Sequence, residues 1–208
     1  MDVAHPIRTV VPSLEGPILQ VLATAIRPLT GREIQRTAGT GSPSGVRQAL
    51  ERLVAQGLVR AAAQSPAIFY SANREHLAWP AVEALAGLRQ ATLSTVQREL
   101  EGWQLRPLHA SVFGSLARGD GGAESDIELL LVRPDGIAQD EPPWTEQVAG
   151  LRRGVLAWTG NHCEPVEVDR RQLAARVLAG DPLVESWLSD SITLLGLPPR
   201  ALLRTCEL

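Results

Sequence analysis

The chain has 208 residues, of which 44% are hydrophobic, 21% charged and 4% aromatic, a composition typical of a folded globular protein. All 20 basic residues are arginine, which excludes the phosphate loops and Schiff-base enzymes that require a lysine. The first 80 residues carry a net charge of +3 and the remainder −6, which favours a nucleic-acid contact in the front part and a cation site in the rear part.

Neither a membrane span nor a secretion signal is predicted. No apolar run approaches the roughly 20 residues that a bilayer requires, and the segment from Met1 to Val11 lacks the basic start and apolar core of a signal peptide. The two cysteines, Cys163 and Cys206, lack the spacing of a disulfide framework or of a zinc site. We therefore expect a cytoplasmic protein without a membrane partner.

Residues 1–76 predict three helices followed by a hairpin. Apolar residues at helical spacing predict a first helix from Ser13 to Arg27. Thr30 with Glu33 forms a capping-box pattern for a short second helix, and Ser42 followed by proline begins a third that runs to about Gln56. Two extended stretches, Leu58–Ala62 and Ala67–Ser71, then predict a β-hairpin. This order of elements predicts a winged helix.

The passage from the third helix into the hairpin, Ala49 to Val59, resembles the recognition-helix-to-wing passage of bacterial winged-helix regulators. The resemblance implies that the third helix contacts double-stranded DNA in the major groove. It implies base-edge contacts from Ser44, Arg47 and Gln48, with Arg52 and Arg60 nearer the phosphates. The alternative is a winged helix that only packs against a protein partner or a second copy of itself.

Residues 77–104 are mostly helical in pattern and predict a long connecting helix. Helices of this kind often pair in a dimer, which places two winged-helix domains on a DNA site with twofold symmetry. The segment is therefore a connector between two domains, with dimerisation of two chains as an alternative use.

Residues 105–208 predict a second domain. An apolar run ending at Phe113 predicts a strand, Gly114-Ser115 a tight turn that opens a helix, and Ile127–Val132 a second strand. A helix start after a glycine turn offers unpaired N–H groups to a triphosphate. Asp126 and Glu128 are two residues apart, so both carboxylates lie on one face of a strand, where a magnesium ion would suit them.

The stretch Gly114–Val132 resembles the signature of minimal nucleotidyltransferases of the DNA polymerase beta superfamily. The resemblance implies an α+β protein whose rear domain is a mixed sheet flanked by helices. It implies that Gly114 and Ser115 hold a nucleoside triphosphate and that Asp126 and Glu128 bind magnesium. Arg118 would support the triphosphate or the turn, or would pair with a nearby acid.

Two features depart from the pattern of that family. Glu128 stands where the family usually has aspartate, and its extra methylene shifts the metal-binding oxygens. The family also supplies a third carboxylate from a later strand. Glu167 is the first choice for that catalytic and metal-binding position, Asp169 the second and Glu164 the third.

Downstream, the pattern predicts helices at Gln172–Leu178 and Leu183–Leu188, a final strand at Ser191–Leu195, and an irregular tail from Pro198. Helical spacing assigns Trp144, Trp158 and Trp187 to the core. Adjacent residues on a strand point to opposite faces, so His162 and Cys163 are not predicted to form a site.

Three functions follow from these features. The first is a magnesium-dependent enzyme that moves a nucleotidyl group, AMP being one candidate, from a nucleoside triphosphate to an acceptor hydroxyl on a protein, nucleic acid or small molecule. The second is a transcriptional regulator whose nucleotidyltransferase fold has become a nucleotide sensor or a dimerisation domain. The third is the neutralising partner of a toxin, since some minimal nucleotidyltransferases adenylylate toxins. The turn and its two carboxylates favour the enzyme.

Overall fold

The computed structural model describes residues 1–205, which fold as two compact units. The N-terminal unit comprises residues 4–88 and Asp2, and the C-terminal unit comprises Met1, Val3 and the chain from Arg89 onward. None of the helices in this part of the chain combines the length and the apolar content needed to cross a membrane.

The N-terminal unit contains the three helices and the hairpin that the sequence predicts. In chain order its elements are a 3₁₀ turn at Pro6–Thr9, α1 at Glu15–Thr24, β1 at Leu29–Thr30, α2 at Gly31–Ala38, α3 at Pro43–Ala55, β2 at Val59–Gln64, β3 at Ala67–Ala72 and α4 at Trp79–Ala86. The three strands form an antiparallel sheet in the order β1-β3-β2. Strand β1 is not in the sequence prediction, because two residues are too few to show a period.

Local capping sets the helix starts in this unit. The Thr30 hydroxyl accepts from the Glu33 N–H at 3.3 Å, while the Glu33 carboxylate accepts from the Thr30 N–H at 2.7 Å, which confirms the predicted capping box. The Ser42 hydroxyl accepts from the Gly45 N–H at 3.1 Å. The helices then bury Leu22, Ile34, Leu50 and Trp79 in one core.

The predicted single connecting helix is two helices. Helix α4 ends at Ala86, and α5 begins after Gly87 and spans Leu88–Glu101. The break is there because each helix buries its apolar face in a different core: Val82 belongs to the core of the N-terminal unit, and Val96 to that of the C-terminal unit.

The C-terminal unit is a four-stranded mixed sheet with helices on both faces. After α5 its elements are β4 at His109–Phe113, α6 at Gly114–Arg118, β5 at Ile127–Val132, α7 at Pro142–Thr159, β6 at Cys163–Val168, α8 at Arg170–Leu178, α9 at Pro182–Ser189, β7 at Ile192–Gly196 and α10 at Pro199–Thr205. The strand order is β6-β5-β4-β7. Strands β5 and β6 are parallel, and the other two pairs are antiparallel.

The two faces of this sheet bury different residues. Leu129 and Leu131 of β5 pack with Trp144 of α7 in the same core as α5. Leu130 points to the other face, where it shares a core with Phe113 and Trp187. The alternation of strand side chains therefore separates two half-cores, and it decides which acidic residues can meet.

Two details differ from the sequence prediction. The tail predicted to be irregular forms α10, which begins at Pro199, since proline is well suited to the first position of a helix. Trp158 is 45% exposed rather than a core residue, whereas Trp144 and Trp187 are buried. Cys206 lies outside the described residues.

His109 is a fully buried histidine on the strand that leads into the candidate site. Its Nδ1 lies 2.7 Å from the carbonyl oxygen of Leu197, and its Nε2 lies 2.9 Å from the hydroxyl oxygen of Ser111. Burial lowers the pKa of His109 below its ordinary value of 6.5, although the hydrogen bond to Leu197 opposes the shift.

A lowered pKa means that the unfolded chain binds a proton more readily than the folded chain does. The contribution of His109 to stability is therefore present above the ordinary pKa and is lost as the pH falls below it. We expect the free energy of unfolding to drop more steeply between pH 7 and pH 5 in the wild type than in His109→Gln. Denaturant titrations at each pH check this, and equal slopes would contradict it.

Candidate functional site

The candidate site begins at the turn where β4 passes into α6. All five residues of β4 are buried, and the strand ends at Phe113 in an extended conformation. Gly114 then adopts a left-handed conformation with φ of 66°, which a residue with a side chain rarely takes. The chain turns directly into the short helix α6, so the first N–H groups of the helix face the end of the strand.

The carboxylate of Glu128 lies directly against this turn. Phe113 is paired with Glu128 across the antiparallel β4–β5 ladder, which brings the two backbones together. A Cβ atom built on Gly114 would overlap Glu128 Oε2 and would lie 2.6 Å from the carboxyl carbon of Glu128. The absence of a side chain at Gly114 is what leaves room for the carboxylate.

Asp126 stands immediately before β5 and is exposed. Among residues 1–205 it has no hydrogen-bond or ion-pair partner. The loop in front of it is ordered by Ser125, whose hydroxyl accepts from the Gly122 N–H at 2.9 Å. A free carboxylate at the open end of β5 is available to a cation.

Glu167 does not join Asp126 and Glu128. In the parallel β5–β6 ladder Glu167 is paired with Leu131, whose side chain belongs to the core on the opposite face from Leu130. The Glu167 carboxylate accepts a hydrogen bond from the Trp144 indole at 2.6 Å. We correct the first choice for the third carboxylate accordingly, because the register places Glu167 on the wrong face.

Glu164 is the acid of β6 that shares a face with Glu128. The two are direct partners in the β5–β6 register, and Glu164 is exposed. The second choice, Asp169, caps α8 by accepting from the Gln172 N–H at 2.7 Å, at the far end of β6. Of the three acids considered from the sequence, the third choice therefore lies nearest to the predicted pair.

Arg118 pairs with acids rather than standing free. Its Nε donates to the Asp120 carboxylate at 2.8 Å, and its Nη1 lies 3.9 Å from Asp190 Oδ2. The hydrogen bond to Asp120 raises the pKa of Arg118, and the charges of Asp120, Asp190 and Glu128 raise it further. The positive charge of the guanidinium therefore interacts with the Glu128 carboxylate at the turn. Asp190 follows α9 and was not found from the sequence, because only the β4–β7 pairing brings it to this end of the sheet.

The described residues contain no group of three or more histidine, cysteine, aspartate or glutamate side chains arranged to hold a metal ion. The donor set at the turn is a pair of carboxylates, Asp126 and Glu128, with Glu164 beside the second. Cys163 offers no alternative nucleophile, since burial raises the pKa of its thiol to about 12.

The predicted DNA-contact residues lie on α3 and on the hairpin. Ser44, Arg47 and Gln48 are exposed on α3, and Arg47 lies 3.7 Å from Glu51, one helical turn away. The two arginines predicted to lie near phosphate are paired with acids: Arg52 Nε donates to Glu15 at 2.7 Å, and Arg60 bonds Glu75. The structure brings the α3 residues together on one exposed stretch of helix.

Neither a known family profile nor a curated protein matches this sequence. Two solved structures are similar over 55% of this chain and 82% of their own chains. One is a toxin–antitoxin complex with AMP-PNP, at 16% identity and a TM-score of 0.38. The other is a mutant of the toxin–antitoxin MntA–HpeT, at 15% identity and a TM-score of 0.37.

The contact between Gly114 and Glu128 can be tested with two alanine substitutions. Gly114 and Gly119 both have positive φ, at 66° and 76°, so alanine strains the backbone at either by about 1–2 kcal/mol. At Gly119 the new Cβ would meet its nearest neighbour at 3.8 Å, an ordinary contact. At Gly114 it would collide with the Glu128 carboxylate.

The carboxylate is the end of a flexible side chain, so it can move away from the new Cβ at little cost. We therefore expect similar losses of unfolding free energy in the two variants, and weaker binding of a magnesium–triphosphate complex in Gly114→Ala than in Gly119→Ala, because only the former displaces the Glu128 oxygens. Denaturant unfolding and calorimetry measure the two effects. Equal triphosphate affinities of the two variants would contradict this expectation.

Proposed function

We propose that the C-terminal unit is a magnesium-dependent nucleotidyltransferase that moves a nucleotidyl group from a nucleoside triphosphate to an acceptor hydroxyl. The observation that carries the proposal is the position of the Glu128 carboxylate against the backbone of Gly114, where a strand ends and α6 begins. This juxtaposition sets metal-binding oxygens beside N–H groups that suit a phosphate. The resemblance of Gly114–Val132 to the nucleotidyltransferase signature supports the same assignment.

The donor set fits magnesium. That ion is usually held by one or two carboxylates together with the phosphates of the substrate, and it prefers oxygen ligands. Asp126 and Glu128 would hold it together with the phosphates of the substrate, and Glu164, the register partner of Glu128, adds negative charge beside the pair. When bound, magnesium neutralises charge that develops on the transferring phosphate.

The triphosphate would lie along the start of α6. The first N–H groups of a helix have no partner within the helix, and the half-buried Ser115 adds a hydroxyl donor. Arg118 is held at the other end of this short helix by Asp120 and Asp190. In the proposal the positive charge of Arg118 offsets part of the negative charge of the carboxylates around the turn. Its remaining N–H groups can donate to a phosphate oxygen.

Calorimetry with each nucleoside triphosphate in the presence of magnesium tests this proposal. We expect the wild type to bind at least one of them, and Asp126→Ala to weaken that binding by at least about 10–100-fold, since losing a metal ligand should cost no less than losing an outer-shell partner of one. Glu124→Ala is the matched control, because it removes an exposed acid from the same loop. Failure of the wild type to bind any triphosphate would defeat the proposal.

The N-terminal unit favours a second activity, sequence-specific binding of double-stranded DNA by a winged helix. Helix α3 presents the exposed Ser44, Arg47 and Gln48. A concave cleft of about 450 Å³ between α2, α3 and the hairpin has a mainly apolar lining, with Arg32, Gln35 and Arg47 at its border. The two arginines provide positive charge beside the exposed helix, which suits the phosphates of a duplex. In this proposal the N-terminal unit locates the DNA, and the C-terminal unit acts on a nucleotide.

A gel-shift assay on the protein's own promoter region tests the DNA contact. We expect Arg47→Ala to weaken binding by about 1–3 kcal/mol, the usual cost of losing an arginine that reads a base. Arg98→Ala is the control, since Arg98 is an exposed arginine on α5 whose hydrogen bonds, within residues 1–205, go to Ser94 and Thr95 of its own helix. Equal affinities of wild type and Arg47→Ala would remove α3 as the recognition helix.

A further inference from the structure

Two side chains outside the signature hydrogen-bond to the backbone on either side of the candidate site. Asn161 bonds the loop that leads into Asp126, and Arg89 bonds the end of the helix that begins at Gly114-Ser115. We propose that Asn161 and Arg89 are positioning residues: Asn161 sets the carboxylate half of the site, and Arg89 sets the phosphate half. This inference rests on the proposed function for its ligand, although its structural part can be tested without one.

Asn161 is placed to hold the loop. Its side chain is 3% exposed, and its Nδ2 lies 2.9 Å from the carbonyl oxygen of Ser125, 3.1 Å from that of Ala123 and 3.0 Å from that of Met1. Ser125 directly precedes Asp126, so this amide fixes the backbone on which the carboxylate stands. A buried amide that donates to several carbonyl groups cannot move without leaving some of them without a hydrogen bond, which is costly in a buried site.

Asn161 is itself held by local structure. Gly160 ends α7 in a left-handed conformation with φ of 75°, and the Asn161 N–H donates to the Thr159 hydroxyl at 3.1 Å. Two residues later β6 begins, and the His162 carbonyl accepts from the N–H of Ile127 at 2.8 Å. The end of α7 and the start of β5 are thus tied together around Asp126.

Arg89 is placed to hold α6. Its Nε donates to the carbonyl oxygen of Leu116 at 3.0 Å, and its Nη2 donates to that of Ala117 at 2.6 Å. These are carbonyl groups at the end of a five-residue helix, which is too short to be stable on its own. A positive charge at a helix C-terminus is also favourable. Arg89 therefore fixes the direction in which the first turn of α6, with Ser115, points.

In this proposal Asn161 affects the binding of magnesium, whereas Arg89 affects the binding of the phosphates. This difference distinguishes a positioning role from a general contribution to stability. Loss of the Asn161 donors frees the loop before Asp126, which would weaken magnesium binding. Loss of the Arg89 guanidinium frees α6, which would weaken binding of the triphosphate even without metal. A residue that only stabilises the fold would affect both alike.

The first experiment is hydrogen–deuterium exchange on the protein without ligand. We expect Asn161→Ala to speed exchange in residues 120–126 while residues 114–119 change little, and Arg89→Met to do the reverse. Asn73→Ala and Arg98→Met are the controls. Asn73 donates its amide to the Gly57 carbonyl in the N-terminal unit at 2.8 Å, and Arg98 lies on the same helix as Arg89. Unchanged exchange at both segments would overturn the proposal.

The second experiment measures ATP binding by calorimetry, first without metal and then across a magnesium titration. We expect Asn161→Ala to raise the magnesium concentration at half-saturation by up to about 10-fold, the low end of the range for a group that bonds a ligand directly, because Asn161 acts on Asp126 only through the backbone of Ser125, with little change in metal-free affinity. For Arg89→Met we expect the metal-free affinity to fall, and Arg89→Lys, which keeps a donor, to retain more of it. Equal effects of both variants on both quantities would overturn the proposal.

The two experiments also distinguish this inference from the proposed function. If the wild type binds no triphosphate, the proposed function fails, and the exchange result alone decides whether the two residues hold these segments. If Asn161→Ala does not fold, Asn161→Ser removes the same amide, keeps a small polar group in the buried site and takes its place in both comparisons.

Discussion

The candidate site of the C-terminal unit depends on one close contact, the Glu128 carboxylate against the backbone of Gly114. It requires a left-handed glycine, because any side chain at that position would occupy the space of the carboxylate. It also requires the β4–β5 register that pairs Phe113 with Glu128. The fully buried β4 fixes the turn from one side, and the hydrogen bonds of Arg89 to the carbonyl groups of α6 fix it from the other.

Local chemistry could be predicted from the sequence, and long-range register could not. The capping box of Thr30 with Glu33 and the start of α3 at Pro43 follow from residues within one turn of each other. The choice between Glu164 and Glu167 depends on how β6 aligns with β5 across the intervening helix α7. The two residues are three positions apart on the strand, so they point to opposite faces, and a pattern of alternating residues does not reveal which face is which.

The acids around the turn also show that contacts between distant segments cannot be predicted from local sequence. The sequence predicts Asp126 and Glu128 as a pair because they stand two positions apart at the start of β5, behind a recognisable turn. Asp190, which lies near Arg118, reaches this end of the sheet only through the pairing of β7 with β4. Asn161 is likewise more than 30 positions from the loop it holds. Side chains brought close by the pairing of distant strands have no characteristic pattern in the local sequence. A motif therefore predicts the residues at the centre of a candidate site but not the residues that hold them in position.

The most direct measurement is a crystal structure of the protein with magnesium and a non-hydrolysable triphosphate analogue. We expect the phosphates on the N–H groups at the start of α6, and a magnesium ion bound by oxygens of Asp126 and Glu128. A triphosphate bound elsewhere, or a metal ion that contacts neither carboxylate, would contradict it.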